Sequence, residues 1–164
     1  MRKGKTIFGI VLIALVITVS GCAKPKVSGA AWVTRGNGSS DQLRGLEVAV
    51  CKTDILGDLQ QVRDTGMKSS KEEYPSLKSD FWHLPLTQMG ETAMKHAVAT
   101  GKADIDGKFS IPNVPTGKYF LYAQWETNFS KIYWLVPVKV GWSEVHIDLD
   151  NSNAAAIYNK DDDE

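Results

Sequence analysis

TGKADIDGKFSIPNVPTGKYFLYA, residues 100–123, holds two turns separated by a short alternating stretch. In the first, Asp104-Ile105-Asp106-Gly107, an aspartate side chain accepts from its own downstream backbone and Gly107 supplies a positive φ. In the second, Val114-Pro115-Thr116-Gly117, proline presets the second position and glycine closes the fourth. Between them Phe109 and Ile111 point one way and Ser110 the other, the period of a half-buried strand. Beyond the second turn, Tyr119, Leu121, Ala123 and Trp125 line one face of a longer strand.

The same pattern continues toward the C-terminus. Thr127 to Ser130 can turn the chain. Ile132, Trp134, Val136, Val138 and Val140 then alternate along a strand, and Val145, Ile147 and Leu149 mark a last one. Residues 151–164 end in Asp161-Asp162-Asp163-Glu164, a like-charge run that predicts a disordered acidic tail. Upstream, Val27 to Arg35 reads as a first strand and 36–41 as a loop. Residues 45–51 form a half-buried strand with Leu46, Val48 and Val50 inward. Residues 54–96 break the β pattern. Ile55, Leu56, Leu59 and Val62 share a helical face, with Asp54 as N-cap and Gly66 as the stop. Ser70 and Glu73 fit a capping box opening a second helix; Pro85 ends it, and a third covers 88–96. The spacing predicts about seven strands folded as a β-sandwich, 27–150, with a mainly helical insertion at about 54–96.

Residues 100–123 resemble the central signature of the carboxypeptidase regulatory-like, or transthyretin-like (prealbumin-like), domains. The matching positions are Thr100, Asp104, Asp106, Gly107, Phe109, Ile111, Pro115, Gly117, Tyr119, Leu121 and Ala123. The resemblance covers roughly 27–53 and 97–150. It implies a seven-stranded Greek-key sandwich, Ig-like in architecture, that serves as a non-catalytic module at cell surfaces. Related folds include carbohydrate-binding modules. The helical insertion between early strands departs from the pattern, and a long insertion in a compact domain is often where function sits.

The N-terminus is an address. Arg2, Lys3 and Lys5 precede an apolar run from Ile7 to Val19, too short to span a bilayer comfortably, as in a secretory signal peptide over 1–21. Val19-Ser20-Gly21-Cys22 resembles the lipobox of bacterial lipoproteins. That resemblance implies cleavage before Cys22, diacylglycerol and acyl chains such as palmitate on that cysteine, and a short lipidated tether over 22–26. Two or three chains at one site give stable anchoring in the cell envelope. Ala23, in place of aspartate, favours the outer membrane in a Gram-negative cell. With Cys22 lipidated, Cys51 has no partner within the chain, and burial is its expected state.

The chain carries 19 basic and 19 acidic residues; without the three basic residues of the leader it has 16 against 19, a net charge of −3. That balance excludes a nucleic-acid binder, which needs a basic face to replace phosphate counterions. No Gly-x-Ser-x-Gly, His-Glu-x-x-His or Cys-x-x-Cys is present, and the Gly-Lys pairs at 101–102 and 117–118 lack the spacing of a phosphate loop. No cofactor beyond the covalent lipid is expected, and no enzyme activity. Asp104 and Asp106 fit a turn better than a calcium loop, since position twelve would be Pro115. Glu144, His146 and Asp148 alternate on one strand face, as a metal site or a solvated face would. His83 and His96 show no carboxylate pattern. Trp125 and Trp134 fall on the inward register. Tyr122 and Tyr133 fall on the opposite face, where exposed rings could stack on sugars. Phe81-Trp82-His83-Leu84 is an apolar patch, with Trp82 as an anchor for a partner. The expected role is binding of another envelope protein through the insert; a carbohydrate platform at Tyr122 and Tyr133 is the alternative.

Overall fold

The computed structural model describes residues 25–161. The leader, Val19, Ser20, Gly21 and Cys22 lie outside them. Ten strands and three helices follow in the order β1 (Val27–Ala30), β2 (Trp32–Thr34), β3 (Ser40–Gln42), β4 (Glu47–Lys52), α1 (Ile55–Glu73), α2 (Asp80–His83), α3 (Leu86–His96), β5 (Ala97–Lys102), β6 (Lys108–Ile111), β7 (Gly117–Glu126), β8 (Ser130–Val140), β9 (Val145–His146) and β10 (Ala154–Asn159). A five-stranded antiparallel sheet, β10-β8-β7-β4-β5, faces a three-stranded sheet, β6-β1-β9, while β2 and β3 form a separate ribbon. The protein is a mainly β sandwich with a helical insertion, as its sequence predicts. The two ribbon strands and β10 account for the excess over seven strands.

The decisive turn forms as read. Asp104 Oδ1 accepts from the amides of Asp106 and Lys108, both at 2.9 Å, and Gly107 adopts φ 75°. It delivers Phe109 and Ile111 into the core between the sheets, where they meet Val27, Val48, Val50, Leu121, Trp134 and Leu149. Trp134 is fully buried and its Nε1 donates to the Asp150 carbonyl at 2.8 Å, so the ring gives up no unsatisfied donor.

The other face of the five-stranded sheet carries a second core. Ala49, Cys51, Tyr122 and Tyr133 lie beneath Ile55 and Leu59 of α1 and Leu86, Met89 and Ala93 of α3. The molecule is therefore three layers, sheet on sheet on helices. Residues 45–51 are correspondingly not half-buried: Val48 through Cys51 are covered on both faces.

Three other expectations are corrected. Gly66 does not stop α1, which runs to Glu73; its bare Cα faces Pro85, whose ring would lie 2.6 Å from an added Cβ. The apparent capping box at Ser70 opens no helix, because Ser70 lies within the last turn of α1, and its hydroxyl meets His83 Nδ1 at 2.9 Å. The tail is not wholly disordered. Residues 154–159 pair with β8, and Ala156 and Tyr158 pack onto the second core. Their apolar contacts outweigh the charge run that follows. Among the described residues no helix is long and apolar enough to cross a membrane.

Candidate functional site

Register and helix packing together make one open groove. Two rows of side chains rise from the helix-bearing face of the five-stranded sheet. Tyr122, Ala49 and Thr100 form one row, and Glu47 stands opposite Lys102 in the next, with Gln124 alongside. Helix α3 walls them in with Thr87, Gly90, Glu91 and Met94. The groove encloses about 570 Å³, within the range of small-molecule and short-peptide sites. Its depth comes from small residues, Ala49 on the floor and Gly90 on the wall. A Cβ at Gly90 would sit 3.0 Å from the Gln124 carboxamide.

The groove is lined mainly by apolar surface, with Glu47, Glu91 and Lys102 as its charged groups. Glu47 and Glu91 make no ion pair among the described residues. Tyr122 donates its hydroxyl to Gln124 Oε1 at 2.5 Å. Burial, reinforced by Tyr133 and Cys51, pushes the Tyr122 phenol well above its ordinary range, so it remains a donor. Gln124 keeps its amide hydrogens for another partner. Met94, 52% exposed, forms an apolar lip.

The aromatic site expected from the sequence is not assembled. Tyr122 and Tyr133 do share a face, but each is only 4% exposed, because the insertion docks over that face. Neither ring can stack on a sugar. The Tyr133 hydroxyl accepts from Arg63 at 3.4 Å. Trp82 is exposed, set edge-on against Phe81 with Lys160 over its ring at 5.1 Å. Its helix, α2, packs beside β10, at the opposite edge of the sheet from β5 and the groove. The rest of the Phe81–Leu84 patch is buried. His83 donates through Nε2 to the Leu77 carbonyl at 2.6 Å and closes the loop after α1.

Two clusters of titratable groups lie outside the groove. His96, at the end of α3, contacts Asp54 through Nδ1 and Asp58 through Nε2, both at 2.9 Å. Asp54 thus serves as this partner, and its side chain makes no capping hydrogen bond. The hydrogen bond to Asp54, aided by Asp58, outweighs desolvation and raises the His96 pKa above 6.5. The signal available in the sequence was the pair of aspartates one helical turn apart at the start of α1.

The second cluster lies on the outer face of the three-stranded sheet. Ser28 Oγ is 3.4 Å from His146 Nδ1, and His146 Nε2 is 3.1 Å from Asp148. The order resembles a nucleophile–base–orienter series. The Ser28 hydroxyl, however, donates to Glu144 Oε1 at 2.6 Å, so its proton is not directed at the imidazole. Ser28 first, and Lys26 second, hold the Glu144 carboxyl below the usual range. Asp148 accepts from the Ala30 amide at 2.8 Å. Among the described residues no three His, Cys, Asp or Glu side chains gather as a metal site would require. Cys51 is buried; its thiol donates to the Ala93 carbonyl, and burial pushes it up to about 12.

No protein-family model and no curated protein matches the chain. Among solved structures, the chain is similar to a candidate carbohydrate-binding protein from Pseudomonas aeruginosa, at 15% identity and a TM-score of 0.46, over 79% of this chain and 89% of that one. It is also similar to the pilus backbone protein of Streptococcus pneumoniae, at 12% identity and a TM-score of 0.31, over 71% of this chain and 34% of that one.

Proposed function

We propose that the chain is a lipid-anchored bacterial envelope protein, held by diacylglycerol on Cys22, whose non-catalytic sandwich offers the α3 groove to a basic segment of another envelope protein. The observation that carries the binding reading is the groove, a concavity between insert and sheet with two carboxylates that the described residues leave unpaired. The anchor reading is supported by the apolar leader and the four-residue lipobox. In a Gram-negative cell, Ala23 favours the outer membrane as its destination.

Carbohydrate is the second reading, and one observation favours it. Glu47, Glu91 and Gln124, with the hydroxyls of Thr87 and Thr100, supply the donors and acceptors that sugar hydroxyls take. It no longer rests on Tyr122 or Tyr133.

Deleting residues 54–96 is a poor test, because it would strip the cover from the second core. A photo-crosslinking amino acid at Met94, with Ile105 as a control, avoids this; both side chains are exposed. A discrete adduct with one envelope protein is expected from position 94 and none from 105. Glu47→Lys with Glu91→Lys should lower the yield about tenfold, the sum of two exposed charge pairs. An undiminished adduct in that variant sinks the protein-partner reading. Saturable heat on titration with a glycan, abolished by Gln124→Ala, puts the carbohydrate reading in its place.

A further inference from the structure

We infer that the end of the sandwich bearing Trp142, Lys118 and Lys139 lies against the bilayer, the indole at the headgroup boundary and the lysines on anionic phosphates. The inference rests on the lipid anchor at Cys22. Trp142 is 86% exposed, at the tip of the loop between β8 and β9. A bare indole at a loop tip suits a membrane interface, where one edge of the ring is wet and the body is apolar.

The loop stands where the chain enters the fold. Val145 donates its amide to the Lys26 carbonyl at 3.0 Å, and Lys26 Nζ lies 3.0 Å from Glu144. The Val114 amide donates to the Pro25 carbonyl at 3.1 Å. Cys22 precedes Pro25 by three residues. A fully extended chain of that length reaches only about 10 Å. Lipid on Cys22 therefore confines this end, and no other, to the membrane surface.

Charge agrees. Lys118 and Lys139 stand directly opposite each other across β7 and β8, one pair from the strand ends. Like charges so placed are destabilising, and neither lysine has an ion pair among the described residues. The carboxylates near this end are committed elsewhere. Glu144 holds Ser28 and Lys26, while Asp54 and Asp58 hold His96. Anionic headgroups are the counter-charge that the arrangement lacks.

The test uses the full lipidated chain, reconstituted in vesicles of phosphatidylethanolamine and phosphatidylglycerol with brominated acyl chains. Flotation reports the anchor, and quenching of tryptophan emission reports contact. Wild type should float and be quenched, and Trp142→Phe should float with most of the quenching lost. The same chain prepared without residues 1–22, and so with neither lipid nor apolar leader, should bind anionic vesicles weakly, and Lys118→Glu in that background should weaken binding about fivefold. Lys118→Glu should also raise the melting temperature by pairing with Lys139, so lost binding cannot be ascribed to unfolding. Floating protein whose quenching is the same in Trp142→Phe overturns the docking geometry. A wild-type chain that does not float overturns the anchor reading, and the inference falls with it.

Discussion

At the scale of single residues, His96 ties the end of α3 to the start of α1. Only a protonated imidazole can donate from both nitrogens, and both meet carboxylates at 2.9 Å. The carbonyl end of α3 favours the same cation. Because the folded pKa is raised above the unfolded value of about 6.5, the contribution to stability is full below that pH and fades as pH rises through the folded pKa. Wild type should therefore melt above His96→Gln by about 1–4 °C near pH 5.5, the scale of exposed ion pairs. The gap should close toward pH 9. Calorimetry across that range checks it, and a gap independent of pH would assign His96 to packing. The cluster was hidden in the sequence because its partners lie 42 and 38 residues away. Asp54 instead matched the local expectation for a cap. Cys51 was legible, because an unpaired thiol on an alternating strand has few places to go except inward.

At the scale of elements, Gly66 decides between two accounts of α1. A glycine that merely lowers helix propensity would gain about 1 kcal/mol on replacement by alanine. Here the added Cβ would fall 2.6 and 2.7 Å from two atoms of the Pro85 ring, which the chain holds at the start of α3. Overpacking of that kind costs about 1–3 kcal/mol. Gly66→Ala is therefore expected to destabilise by about 1 kcal/mol net, read from the urea midpoint at unchanged slope. A stabilised variant would mean that α1 and the α2–α3 connection part easily. Turn chemistry was the most legible feature of the elements, since Asp104 and Gly107 carry their own geometry. The end of α1 was not, because a glycine chosen for close packing looks like a glycine chosen to stop a helix. Strand β10 escaped for a related reason. Ala154, Ala155 and Ala156 have too little side chain to show a period, and an acidic run follows them.

At the scale of the whole molecule, one sheet serves two cores. Along β7, Leu121 and Ala123 enter the inter-sheet core while Phe120 and Tyr122 enter the helical one. Alternation in the sequence revealed that these faces differ; it could not reveal that the second is covered, because cover comes from an insertion that lies outside the strand's own stretch of sequence. That is why Tyr122 and Tyr133 read as a surface and are an interior. It also bears on how the helical layer behaves. Were the insertion an appendage, it would open by itself and release Cys51, which hydrogen-bonds to Ala93 on α3. Yet Cys51 sits in a central strand paired with β7 on one side and β5 on the other, and the residue before it belongs to the opposite core. Opening one face therefore loosens side chains that hold the other. Alkylation of Cys51 should follow global unfolding, with the urea midpoint and slope seen by tryptophan emission. Burial, which pushes the thiol up to about 12, adds to this protection in the folded state, because the thiolate is the nucleophile. Labelling that sets in at lower urea with a shallower slope would show the helical layer opening alone. The α3 groove would then be a wall that moves, and binding there would be coupled to closing it.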